Sequence, residues 1–459
     1  MNFKRLLFTV SIIITLSISC TSSKNLSENL ESMVDEYINP LVESRNFSGT
    51  IFIAHDGKIL YNKGFGMANF DASIPNTPDT KFQIASLSKT FTVAAILLLQ
   101  QRGLLKVSDP ISHFLPDYPH GDKITVHQLL NHTSGLPRYV FFPDYKEKSV
   151  QSHTARDIVE WIKDKPLAFN PGERSGYSNS NYAMLAYIIE LVSGMEYNEF
   201  LKTNIFDVLN LSNTGHSDGA NSHIKNLAIG YVPIELKDLK KSDFYDYSIA
   251  IGAGSLCSTT EDLFHWYQAL VNGRLLNEAS LDLMMNQRDD NTSYGWIHDT
   301  WFGKDVFKKS GWDGVGFASQ FVHFQEDDLT IIILMNLSIS GITAEIANNL
   351  SAIVLGKEHN SFELISNPTN DEDKIEQIIG IYRFGHDFYV PNSSIEIIES
   401  GGYFYIKNQP DQKVGLIQIS EEEYIDRQHW LKVKFVWNDN GQIVGLKYGL
   451  FEAVKESNM

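Results

Sequence analysis

Strand-type segments lie at two widely separated places in this chain, and that separation constrains its fold more than any other feature. Near the N-terminus, GTIFIAHDGKILYNKGFGMANF alternates apolar and polar residues around Asp56-Gly57, a dipeptide that favours a type I′ hairpin turn. Much later, GFASQFVHF and LTIIILMNLS flank the acidic turn Glu326-Asp327-Asp328. The long stretch between them is mainly helical in pattern. One sheet drawing strands from both ends, with a largely helical insert, is therefore expected, giving a mixed α/β architecture.

The helices carry their own start and stop signals. LSENLESMVDEYINPLVESRN places Leu30, Met33, Val34 and Tyr37 at helical spacing ahead of the first strand. In the insert, Thr125 to Gln128 fits a capping box, with the helix ending before Gly135-Leu136-Pro137. Two more helices are predicted from Ser180 to Val192, stopped at Gly194, and from Thr260 to Val271, stopped at Gly273. A last helix is expected from about Thr343 to Leu355.

The polar stretch Ser366 to Lys374 reads as the end of a linker spanning 358–374. Beyond it, GIYRF, SIEIIES, YFYIKN, VGLIQIS, LKVKFVW and IVGLKYGLF are short β-type runs broken by turn residues, so residues 375–459 are expected to form a small antiparallel β domain. Its aromatics (Tyr382, Phe384, Phe388, Tyr389, Tyr403, Phe404, Tyr405) fit packing inside a small barrel better than a sugar-binding platform.

The first 20 residues read differently. Lys4 and Arg5 precede an apolar run from Leu6 to Ile18, too short to span a bilayer comfortably and laid out like a signal peptide. The segment ends in LSISC, similar to a bacterial lipobox, although Ser17 stands where leucine is usual. The expectation is an exported protein, lipid-anchored through Cys20, with a polar tether over 21–27. Membrane contact would be through that anchor alone. With 38 basic and 56 acidic side chains the formal charge is −18, which disfavours nucleic acid as a partner. Cys20 and Cys257 are the only cysteines, and no HExxH occurs. No zinc site, other metal or cofactor is expected, and Cys257 reads as a small buried hydrophobe.

Chemistry is suggested first by Ser86-Leu87-Ser88-Lys89. A serine and a lysine three apart share one helix face, and the run Val93, Ala94, Ile96, Leu97, Leu98 behind them is too apolar to face solvent. A lysine at the mouth of a buried helix is partly desolvated, which favours the neutral amine, a competent proton acceptor for Ser86. The motif alone is weak, and a second copy, Ser222 to Lys225, has no apolar helix behind it and is set aside as chance. Two further groups add to the first: Tyr177 and Asn179 in RSGYSN, and Lys309, Ser310 and Gly311 in FKKSGW.

Serine-x-x-lysine, then tyrosine-x-asparagine, then lysine-serine-glycine, in that order, resembles the serine β-lactamase and penicillin-binding DD-peptidase superfamily, most of all its class C branch. ITVHQLLNHTSGLP and GAGSLCSTTEDL are similar to further signatures of that branch. The resemblance covers about residues 28–357. It implies a β-lactamase-like antiparallel sheet flanked by helices, with the C-terminal β domain as an appended module. It also implies Ser86 as acylated nucleophile and Lys89 as its base, or as the group holding Tyr177 near its anionic form. Tyr177 would be the proton shuttle, and Asn179 the partner of the substrate's acyl-side amide. Lys309 and Ser310 would meet a carboxylate or polar group, with Gly311 allowing close approach. The oxyanion hole would be the backbone N–H groups of Ser86 and Trp312. A bulky tryptophan departs from the small residue common at that last position. His132, inside HTSG, reads as a turn-stabilising residue, and Glu190 as part of a solvated helix face. The substrate expected is a small molecule or peptide: a β-lactam, a D-amino-acid peptide or a small ester. The rival reading is a non-catalytic envelope protein that holds wall peptide in the same pocket.

Overall fold

The two groups of strands meet in one sheet. The computed structural model describes residues 29–217, 224–285, 294–360, 371–390, 392–409 and 412–456. The signal segment, the tether, Cys20, Ser222 and most of the linker lie outside them. Six antiparallel strands run in the order β3-β4-β5-β6-β1-β2: β1 Gly49–His55, β2 Lys58–Phe65, β3 Ile297–Trp301, β4 Lys304–Trp312, β5 Ala318–Phe324 and β6 Leu329–Met335. The central pairing joins the chain's distant segments, with Gly49 opposite Met335 and His55 opposite Leu329. Asp56 and Gly57 both have positive φ, as a type I′ turn between β1 and β2 requires.

β1, β5 and β6 are buried on both faces, which is why they read as continuous apolar runs. Alternate residues go to opposite cores. Ile51, Ile53, Ile331, Ile333 and Met335 pack with α1 (residues 29–43) and α5 (Ile342–Val354). Phe52, Ala54, Ile332 and Leu334 pack with the insert through α2 (Ser88–Gln101), α3 (Asn179–Ser193) and α4 (Thr260–Val271). In α2 every residue from Ser88 to Leu99 is buried. Each buried Ile, Leu or Phe side chain contributes about 1.5–3 kcal/mol relative to exposure. That burial makes α2 a fixed pillar rather than a surface helix. The caps follow the sequence: Thr125 and Gln128 form a reciprocal capping box, Thr259 caps α4, and Gly194 ends α3 in the left-handed region.

The C-terminal domain closes completely. Eight strands, from Gly380–Phe384 to Phe451–Lys455, form a barrel whose first and last strands pair through Tyr382 and Lys455. Two of these strands differ from the sequence expectation. Glu423–Asp426 is a separate short strand, and the run IVGLKYGLF divides at Gly449-Leu450 into two strands of a hairpin. Gly449 has φ +60°, so an apolar run is broken by a turn that only its glycine signals. Tyr382, Phe384 and Phe404 sit in the barrel core, whereas Tyr389 is exposed. A short helix, Glu372–Ile378, spans the expected boundary between linker and β domain at 374/375, and Ile378 packs into the barrel core.

The barrel docks through the loop around Arg427 and through the strand Gln412–Gln418. Arg427, fully buried, donates to the carbonyls of Arg45, Ile234, Glu235 and Asp238 and to Asn46 Oδ1. Glu235 also exchanges backbone hydrogen bonds with Lys413 and Gly415, and Trp430 Nε1 donates to Glu345 at 3.0 Å.

Candidate active site

The site is assembled where α2 begins beneath the end of β4. A short strand, Phe82–Gln83, pairs with Leu256–Ser258, and a 3₁₀ turn over Ala85–Leu87 leads into α2. Ile84 N donates to Leu256 O, and Leu256 N donates to Ser88 Oγ, so both sides of the turn are pinned. Ala85 adopts φ +47°, a left-handed conformation that costs a non-glycine residue about 1–2 kcal/mol. The surrounding structure holds that strain at the residue before Ser86.

Ser86 Oγ lies 2.7 Å from Tyr177 Oη and 3.0 Å from Lys89 Nζ. Lys89 is completely buried. Its other two hydrogen bonds are to Asn179 Oδ1 at 2.9 Å and Ala253 O at 2.7 Å. Loss of water around the ammonium holds the Lys89 pKa well below its ordinary value. The geometry shows what a neutral amine does here. Asn179 Oδ1 and the Ala253 carbonyl can only accept, so they use the two N–H groups of the amine. Its single lone pair is left facing the Ser86 hydroxyl. The Ala253 carbonyl is itself held in place: Gly252 has φ +74°, a Cβ there would fall 2.2 Å from Tyr182 O, and Thr92 Oγ1 donates to Gly252 O.

Tyr177 is 42% exposed and stands at the mouth of α3, whose N-cap is Ser178. Its loop rests on His132, a residue given only a turn role from sequence. His132 has φ +62°. Its carbonyl accepts from Gly176 N, and its Nδ1 accepts from Ser178 N and Asn181 Nδ2. Its ring lies 4.5 Å from that of Tyr177. Burial, then the nearby charges of Lys89 and Lys309, hold its pKa well below the ordinary value, so it is a neutral support beneath the tyrosine. The HTSG turn was visible in sequence; its contact with Tyr177 was not.

On β4, burial alternates. Lys309 and Gly311 point inward, while Ser310 and Trp312 share the exposed face. A Cβ on Gly311 would fall 2.4 Å from Ile84 O and 2.9 Å from Ser86 N, so only glycine lets the strand pass this close to the serine turn. Ser319 Oγ fastens the same turn by donating to Ile84 O at 2.8 Å. Lys309 is buried and makes no hydrogen bond among the described residues. Desolvation first, with Lys89 adding to it and Tyr177 opposing it, brings its pKa down to about 8. Among the described residues, pairing of β4 with β3 ends at Lys308, and no described strand pairs with Lys309–Trp312 on that side.

One sequence reading changes and another holds. Glu190 is half-buried and caps the following helix by accepting from Tyr197 N at 3.1 Å, rather than lying on a solvated face. Cys257 is buried, and burial pushes its thiol pKa up to about 11, which makes it inert at neutral pH.

The motif residues thus converge on one cleft. Comparison with known proteins gives the family and the fold. Residues 34–352 match the Beta-lactamase family. Penicillin-binding protein 4* of Bacillus subtilis (strain 168) is 31% identical over 333 residues, covering 68% of this chain and 73% of its own length. Among solved structures, the octameric penicillin-binding protein homologue from Pyrococcus abyssi superposes with a TM-score of 0.63 at 24% identity, covering 93% of this chain and 99% of its own. The D-amino acid amidase from Ochrobactrum anthropi SV3 gives 0.64 at 23% identity, covering 72% and 99%. The chain belongs to the β-lactamase family and is a serine hydrolase of the β-lactamase and DD-peptidase type.

Proposed function

We propose that this chain is an exported hydrolase that forms an acyl-enzyme on Ser86 and cleaves an amide or ester whose leaving portion carries a carboxylate. The observation that carries the reading is the position of Ser86 Oγ, 2.7 Å from Tyr177 Oη and 3.0 Å from the buried amine of Lys89. As Ser86 attacks the carbonyl carbon, its proton passes to the Lys89 lone pair. Tyr177 delivers a proton to the departing nitrogen or oxygen, and the Lys89 ammonium returns one to the tyrosine. Water then attacks the ester by the reverse route. The N–H groups of Ser86 and Trp312 hold the developing oxyanion, and one such donor is worth about 3 kcal/mol of barrier. Asn179 bonds the acyl-side amide. Lys309, buried with no acceptor among the described residues, and Ser310 take the carboxylate of the leaving portion.

The names of the penicillin-binding relative and the D-amino acid amidase support a β-lactam or D-amino-acid substrate. The signal-type segment ending at Cys20 supports export to the cell envelope with a lipid anchor. The test is the intact mass of the purified protein mixed with a penicillin, followed from seconds to hours beside Ser86→Ala. A lasting adduct absent from the variant is the outcome for a DD-peptidase. A brief adduct with drug consumption is the outcome for a β-lactamase. No adduct, with D-peptide esters also left intact, overturns the reading and leaves a wall-binding protein.

A further inference from the structure

The barrel loop that docks on the catalytic domain also reaches the cleft. His429 packs edge-on against Trp312, with ring centroids 6.1 Å apart. Its place is built rather than incidental. Asp426, almost fully buried, accepts from His429 Nδ1 at 2.8 Å and from the Gln428 backbone N–H. Tyr448 donates to the same carboxylate from across the barrel. The loop's backbone is clamped by Ser340 N donating to Gln428 O. Arg427, next in sequence to Asp426, locks it to the catalytic domain. With Nδ1 engaged inward, Nε2 is bonded by no described residue, and the His429 side chain is 38% exposed. Trp312 beside it is 39% exposed.

Direction along β4 says which part of a substrate comes here. A scissile carbonyl held at Trp312 N, with its carboxylate on Lys309, puts the leaving portion on the Lys309 side. The acyl portion then runs the other way along the open strand edge, past the Trp312 ring. We propose that the barrel completes the acyl side of the cleft, with His429 Nε2–H donating to an acceptor oxygen on the acyl portion of the substrate. His429 is then a specificity-determining residue, and this reading rests on the acyl-enzyme proposed above. Burial lowers the imidazole pKa, but the hydrogen bond and charge of Asp426 outweigh it and leave it raised, which favours the imidazolium and hence a proton on Nε2. An acceptor oxygen can belong to a side-chain carboxylate or to an amide. A short acyl portion such as N-acetyl-D-alanyl offers, beyond the reacting carbonyl, only the amide oxygen placed at Asn179.

The test uses the full chain with three esters sharing one leaving group. One carries N-acetyl-D-alanyl. The second is lengthened by an acyl-side residue with a free carboxylate, and the third carries the corresponding carboxamide. The quantity read is the ratio of kcat/KM for lengthened over short substrate, which cancels any loss of folded protein within a preparation. In His429→Leu the ratio is expected to fall roughly tenfold, the size of one hydrogen bond involving a charged group, with His429→Gln, which keeps a donor, falling less. A fall confined to the carboxylate ester assigns a carboxylate; equal falls for both lengthened esters assign an amide oxygen. An unchanged ratio overturns the subsite. Penicillin labelling of Ser86 in the wild-type preparation separates the two readings: adduct with an unchanged ratio removes only the subsite, whereas no adduct and no turnover removes the acyl-enzyme and the subsite with it.

Discussion

Asn179 Oδ1 and Lys89 Nζ lie 2.9 Å apart, so the residue that keeps the buried lysine company is an amide where a carboxylate would occupy the same space. A neutral partner leaves desolvation unopposed, and the lysine stays a base.

Asn179→Asp reverses that balance. A carboxylate at this distance raises a lysine pKa by about 1–3 units. Less free amine is then present at neutral pH, and the acidic limb of the acylation rate moves to higher pH by the same amount. Acylation of Ser86 by penicillin at pH 7 should slow about tenfold or more, with partial recovery at pH 9, as read by stopped-flow or intact mass. An unshifted limb would contradict a base role for Lys89.

Lys309 gives a second pH dependence, of opposite sense. Its pKa is about 8, so its charge is present below that pH and is lost as pH rises through it. KM for a carboxylate-bearing ester should rise about tenfold between pH 7 and 9.5, while KM for an uncharged ester of the same acyl group stays flat. Lys309→Met should raise KM for the first at pH 7 and remove its pH dependence.

Gly311 is tested by its own missing atom. Gly311→Ala drives a Cβ against Ile84 O and Ser86 N. Both are backbone atoms of the serine turn, so the strand or the turn must shift, and the two oxyanion donors separate. A fall of roughly a hundredfold or more in acylation rate is expected, with binding of non-reactive ligand less affected. Kinetics beside a ligand-binding isotherm would check this.

Much of this arrangement was legible in the sequence because the signals are local. Serine-x-x-lysine puts two side chains on one face of α2, and capping residues mark where Val126–Leu130, α3 and α4 start. The lysine-serine-glycine run places Lys309, Ser310 and Gly311 together on one strand, although which of them turns inward emerged only from the structure. What sequence did not disclose are contacts between residues far apart in the chain and without periodicity. His132 supports Tyr177 from 45 positions away, Glu190 caps a neighbouring helix through a turn, and Arg427 meets Asn46 across almost the entire chain. The split of IVGLKYGLF into two strands escaped for a different reason, since one glycine inside an apolar run is a weak turn signal.

Arg427 carries a prediction about how the two domains hold together. Arg427→Met removes a buried guanidinium that serves five acceptors between the domains. Leaving the buried Asn46 amide and four carbonyls without this donor should cost about 3 kcal/mol. Because the lost contacts lie between the domains, calorimetry should show the single transition separate into two, with the barrel and the catalytic domain melting independently. A single transition merely lowered in temperature would mean that the other docking contacts suffice.

The pairing of Gly49 with Met335 has a consequence in time as well as in space. Closing so long a loop is entropically costly, and the strands on either side of it cannot complete each other until nearly all of the catalytic domain has been synthesised. The serine turn can begin to form early, but β4, which brings Lys309 and the second oxyanion donor, has no sheet to join before then. A nascent or truncated chain therefore carries a serine without a cleft, and hydrolysis begins only once the two ends of the domain have found each other.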